Sequence, residues 1–157
     1  MKAFALCLIG LTLAGCQTTA PKAASSERAR FYLESGDALA EALTLPQSGT
    51  QIWVMPKPVF TEYDFLHVEI AQAAQGQCLE FQLTPAAAHD LYRLSLAQQG
   101  ARLVLVLGGV PFGARRIGRP IDDGTLFVFL EVPDASLPAL AANLNETSAA
   151  LQSAVTK

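Results

Sequence analysis

An α+β fold is predicted, with a mostly antiparallel sheet and two helices packed on one face. Three observations carry that expectation. Residues 103–107 (LVLVL) and 126–130 (LFVFL) are unbroken apolar pentads, the pattern of strands buried on both faces. Residues 63–71 and 78–83 alternate in polarity, as half-buried strands do. Two stretches with helical spacing open on Thr84-Pro85 and Pro133-Asp134, so the order is strands, helix, strands, helix. The chain has 157 residues, 51% hydrophobic and 16% charged, which suits one folded domain and no second one. Its net charge of −3 argues against a nucleic-acid partner, which calls for a basic face.

The first residues read as an address. Met1-Lys2 supplies a positive charge, and residues 3–13 form an apolar run too short to span a bilayer. The run ends in Leu13-Ala14-Gly15-Cys16. This resembles the lipobox of bacterial lipoproteins, which implies cleavage after residue 15 and acylation of Cys16. Several acyl chains on one cysteine hold a domain on a membrane without a protein span. Gln17 follows where an aspartate would favour inner-membrane retention, so the resemblance implies the outer membrane, with the domain facing the periplasm. Residues 16–30 carry Thr, Ser, Pro and Ala without an apolar period and read as the lipidated cysteine and a flexible tether. Residues 31–157 are then the single α+β domain. Cys7 leaves with the signal and Cys16 is alkylated. Cys78 is left as a small buried residue with no disulfide partner.

Within the domain, residues 37–43 could form a short helix closed by Pro46 and Ser48-Gly49. Residues 50–55 (TQIWVM) read as a strand. Pro56 and Pro58 remove backbone donors, so that strand ends there or lies at an edge. In the next strand Phe65, His67 and Glu69 fall on one side, with Leu66, Val68 and Ile70 on the other. Leu79, Phe81 and Leu83 share a face of the following one. Thr84 can cap a helix with Pro85 at its first position, and Gly100 stops it. Residues 103–107 and 126–130 are expected as central strands. Between them, Gly108-Gly109 leads into an irregular stretch to Ile121. The last helix carries Leu137, Leu140, Leu144 and Leu151 on one stripe.

The run Phe81 to Thr84 (FQLT), a helix, Leu103 to Leu107, Gly109, Ala114, Pro120-Ile121, Gly124 and a further strand and Ala/Leu helix resembles the head of the first periplasmic domain of SecD. Pro58-Val59 upstream also fits. SecD is an accessory subunit of the bacterial protein-export channel. The resemblance covers somewhat over half the chain, and its motifs are turns, strands and a cap. Gly108 stands where that family has aspartate, and Arg115 where it has proline. No apolar run here reaches spanning length, so the family's proton-driven membrane part is not implied. The resemblance does imply a polypeptide-binding role, in protein export or envelope assembly.

Chemistry-bearing patterns are sparse. His67, His89 and Cys78 lack metal-ligand spacing, no serine sits in G-x-S-x-G, and Gly108-Gly109 with Gly113 fits no phosphate loop. No catalytic residue, cofactor, metal or small-molecule substrate is assigned, and a hydrolase-type enzyme is a remote alternative. Arg115, Arg116 and Arg119 form a candidate contact for a protein partner or for lipid phosphates, unless Asp122-Asp123 pair with them. Trp53, on a proline-flanked edge, is a second candidate contact, where an extended peptide could add as a strand. The readings carried forward are a lipid-anchored polypeptide-binding module and, alternatively, a structural lipoprotein docking onto a fixed envelope complex.

Overall fold

The computed structural model describes residues 28–155, so the signal, Cys16 and most of the expected tether lie outside the described residues. The described chain runs β1 (Ala29–Leu33), β2 (Glu41–Thr44), β3 (Gln51–Val54), β4 (Phe65–Ala73), β5 (Gly76–Leu83), α1 (Pro85–Ala97), β6 (Arg102–Leu107), β7 (Val110–Arg116), β8 (Thr125–Val128) and α2 (Leu137–Val155). The α+β class holds, and every strand pairing is antiparallel. The strands form three sheets, β1-β6-β7, β2-β3 and β4-β5-β8. An isolated bridge from Gly113 to Leu130, with Glu131 N donating to Phe112 O at 2.7 Å, joins the first sheet to the third.

The LVLVL pentad is buried on both sides because it separates two cores. Leu103, Leu105 and Leu107 enter the main core, while Val104 and Val106 pack with Leu45, Ile52 and Val54 of the β2-β3 hairpin. Phe31, Phe65 and Phe81 join the first and third sheets as edge-to-face rings, with centroids 5.1–5.7 Å apart. Each such contact contributes about 0.5–1.5 kcal/mol beyond its burial. Leu91 of α1, together with Leu137 and Leu144 of α2, closes the same core. Thr84 caps α1 by accepting from Ala87 N at 3.3 Å, with Pro85 opening the helix, and Gly100 follows its end at φ 90°.

Five expectations are corrected. Residues 37–43 hold no helix. A bend and turn lead into β2, because a two-residue-period pairing with β3 buries Leu43 and Leu45 sides better than an isolated short helix would. Strand β1 starts at Ala29, which is buried, so residues 29 and 30 belong to the sheet and not to the segment expected as tether. Phe65 and Val68 face the same core, because a bulge between Phe65 and His67 makes Leu66 an extra residue and reverses the alternation after it. The stretch after Gly109 is strand β7. Gly108 (φ 57°) and Gly109 (φ 90°) form the two-residue turn of a β6-β7 hairpin, a conformation that glycine adopts without strain. Finally, β6 is central as expected, but β8 is the edge of its sheet and β5 is central there.

Candidate functional site

An open cleft of about 440 Å³ lies where the far end of β1 meets β3 and the paired ends of β6 and β7. Trp53, Gln51, Glu34, Arg102 and Arg116 line it, with backbone from Ser35-Gly36 and Gly100-Ala101. Strand alternation places the walls. In β3, Ile52 and Val54 turn inward, so Gln51 and Trp53 turn outward, and Trp53 is 53% exposed. A neighbouring hollow of about 280 Å³ shares Trp53 with Ser35, Gly36, Asp37 and Ala40, on the loop that carries Leu39, 77% exposed.

The floor is an ion pair. Glu34 accepts from the Arg102 backbone N–H at 2.8 Å and from Arg102 Nε at 2.9 Å, and its second oxygen accepts from Arg102 Nη2. This fork geometry fixes both side chains. Hydrogen bonding from Arg102 is the main reason the Glu34 carboxyl is held below its ordinary range, against the opposing effect of burial. Arg116 reaches the cleft from β7, and its Nη1 donates to Gly100 O at 2.8 Å. One carboxylate thus faces two guanidiniums, and the cleft offers positive charge beside an exposed aromatic face.

The expected edge for an added strand is occupied at Trp53. Ser35 N donates to Trp53 O, and Met55 N donates to Leu33 O, each at 2.9 Å. The outward edge of that hairpin belongs to β2 instead.

The arginine trio is divided. Arg115 and Arg116 are adjacent in a strand and so point to opposite faces. Arg115 Nη1 donates to Phe127 O at 3.1 Å, and the guanidinium lies 5.8 Å from the Phe127 ring centre. Burial lowers its pKa from the ordinary value. Arg119 is exposed beyond β7. Among the described residues no ion pair joins the trio to Asp122 or Asp123, and Asp123 accepts from Thr125 N at 3.0 Å instead. Trp53 and Arg116 therefore share a cleft that Arg115 does not face.

His67 is exposed with its Nε2 3.9 Å from Glu69, His89 is exposed on α1, and Cys78 is buried. Among the described residues no group of three or more His, Cys, Asp or Glu is placed to hold a metal. Also among these residues, no helix is long and apolar enough to cross a membrane.

Two acidic positions were not singled out in the sequence. Glu34 meets Arg102 across 68 residues, and buried Glu62 takes Arg30 Nε at 3.2 Å and Arg28 Nε at 3.5 Å. No local pattern marks either. The pairing of Leu33 with Leu103 in β1 and β6 is what makes Glu34 and Arg102 neighbours.

A structure of SecDF in a super-membrane-facing form superposes with a TM-score of 0.61 at 14% identity, over 78% of this chain and 19% of that one. A structure of SecDF, a membrane component that enhances protein export, gives 0.59 at 15% identity, over 76% and 62%. The fold is SecDF-like. SecDF from Thermus thermophilus, described as translocon-associated, gives 0.52 at 16% identity, over 78% and 20%. The chain thus spans about a fifth of two SecDF chains and 62% of the third. The likeness is consistent with a SecD-type first periplasmic domain. No protein-family model and no curated protein matches the chain.

Proposed function

We propose that this chain is a membrane-anchored periplasmic lipoprotein that binds polypeptide as an accessory to protein export or envelope assembly. The SecDF-like fold carries the reading, because SecDF is the membrane component said to enhance protein export. The Leu13-Ala14-Gly15-Cys16 motif supports the anchor, with Cys16 as the acylated residue and the outer membrane as the favoured site. Trp53 in the cleft supports binding, since an exposed aromatic beside arginines suits an unfolded chain with apolar and acidic side chains. The reading involves no catalysis and no cofactor. Docking onto a fixed envelope complex is the second reading, favoured by the exposed Arg116 and Arg119.

Trp53 is the single tryptophan, so its fluorescence reports directly on the cleft. Titration with an unfolded export precursor is expected to shift that emission. Photocrosslinks from the cleft to the precursor are expected to fall at least fivefold in Trp53→Ala, while the urea midpoint stays put. Crosslinks no stronger than those of a matched inert domain overturn the reading. A single dominant partner in a membrane pull-down, without precursor crosslinks, selects the docking alternative.

A further inference from the structure

The end of β1 opposite the Trp53 cleft has its own surface. Arg28 and Arg30 sit there, 54% and 38% exposed, and Glu62 is the carboxylate that pairs with both. One carboxylate against two guanidiniums leaves a positive charge unbalanced. The β6-β7 turn lies beside them, with Gly108 N donating to Arg28 O at 3.3 Å. Together with Tyr32 and Val106, these residues line a shallow recess of about 250 Å³. Val110, at the end of the turn, is 53% exposed, and Tyr63, next to Glu62, is 55% exposed. Guanidiniums, an exposed tyrosine and an apolar hairpin tip are the side chains that suit the boundary between lipid headgroups and water.

The covalent order points the same way. Cys16 precedes Arg28 by 12 residues. Twelve residues span at most about 40 Å even when fully extended. An anchor at Cys16 therefore brings the Arg28 end to the bilayer first. From Ala29 to Ser35 the chain advances about 20 Å, at ~3.3 Å per residue. Ser35 touches Trp53, so the cleft lies at the far end.

We propose that the Arg28, Arg30, Tyr63 and Val110 surface rests on anionic phospholipid headgroups, so that the domain stands upright and presents the Trp53 cleft away from the membrane. The proposal rests on the lipid anchor of the preceding reading. The guanidiniums donate to headgroup phosphates, and a second contact of this kind supplements an acyl anchor. Each arginine near such a surface strengthens the contact about fivefold.

The mature acylated chain is reconstituted into phosphatidylglycerol–phosphatidylcholine vesicles and into phosphatidylcholine vesicles. Cys78→Ala is combined with Val110→Cys or with Leu39→Cys, each labelled with a fluorophore, and the lipids carry a headgroup quencher. The label at position 110 is expected to be quenched at least threefold more than the label at 39 in the anionic vesicles. That excess should shrink in 0.5 M salt, in phosphatidylcholine, and with Arg28→Ala, which leaves Arg30 on Glu62. Equal quenching at both positions overturns the orientation, and so does an excess indifferent to salt, lipid charge and Arg28. The mass of the same protein reads the anchor separately. A chain lacking acyl mass on Cys16 overturns the anchor, whereas an acylated chain with equal quenching overturns the orientation alone.

Discussion

Gly113 is the point where the two large sheets meet, and adding one methyl there tests the junction. A Cβ at this position would lie 2.2 Å from Phe129 O, 3.1 Å from Phe129 C and 3.2 Å from Leu130 Cα. The nearest contact is inside ordinary van der Waals separation by more than roughly 1 Å. All three atoms are backbone, so no side chain can rotate out of the way. Relief requires moving β7 away from the segment after β8 and breaking the Gly113–Leu130 bridge. Gly113→Ala is therefore expected to destabilise the domain by about 3 kcal/mol, at the upper end of overpacking costs, and to lower Tm by about 10 °C. Gly118→Ala is the control. Its Cβ meets open space and its backbone has no positive φ, so the stability should stay within about 0.5 kcal/mol of wild type or rise slightly. Urea and thermal unfolding of both variants measure the difference. Equal midpoints for the two variants would refute the reasoning about the sheet junction.

Glu34 predicts an acid limb. Arg102 holds its carboxyl below the ordinary range, so the pair's contribution is complete above the unfolded pKa of about 4.3 and is lost as pH falls through the folded value. The gap in urea midpoint between wild type and Glu34→Gln should accordingly be largest near neutrality and narrow as pH falls below the unfolded pKa of about 4.3. Asn145 accepts from Val68 N at 2.8 Å and donates to Val68 O at 2.7 Å, beside the bulge in β4. Asn145→Ala leaves both half-buried backbone groups without that partner, and chemical denaturation should show a loss of about 1–3 kcal/mol. Burial pushes the Cys78 thiol up, with Glu80 adding to the shift, and its sulfur lies 3.6 Å from Ala71 O. Maleimide should therefore modify Cys78 only in proportion to urea unfolding; fast modification of the native chain would refute its enclosure.

What was legible in the sequence was local. LVLVL declared a strand covered on both sides, Thr84-Pro85 declared a helix start, and Leu137, Leu140 and Leu144 declared a buried stripe. Each signal sits within a few residues of what it specifies. The Gly108-Gly109 dipeptide was also a local signal, a two-residue hairpin turn, but the prolines and glycines after it masked strand β7. The bulge at Leu66 was not legible, because an extra residue in a ladder depends on how the partner strand pairs. Pairing also decides the site. Glu34, Trp53, Arg102 and Arg116 come from four separate stretches, and only the joint packing of β1, β3, β6 and β7 gathers them.

Strand parity determines what the basic run can do. Three arginines within five residues suggest one basic patch if the stretch is irregular, since loops can turn side chains to a common side. As a strand, the same stretch must divide them. Arg115 goes to the face that carries Phe127, where its guanidinium is held by a backbone carbonyl and a ring. Arg116 goes to the face that carries Glu34 and Trp53. Exchanging the roles of the two would take a one-residue slip of β7, which would also expose Ile117 and place Gly113 away from the backbone of Phe129 that only glycine tolerates. The close contact at Gly113 therefore fixes the register that delivers Arg116 to the cleft. The tight glycine at the middle of β7 and the cleft arginine at its end are consequences of the same pairing.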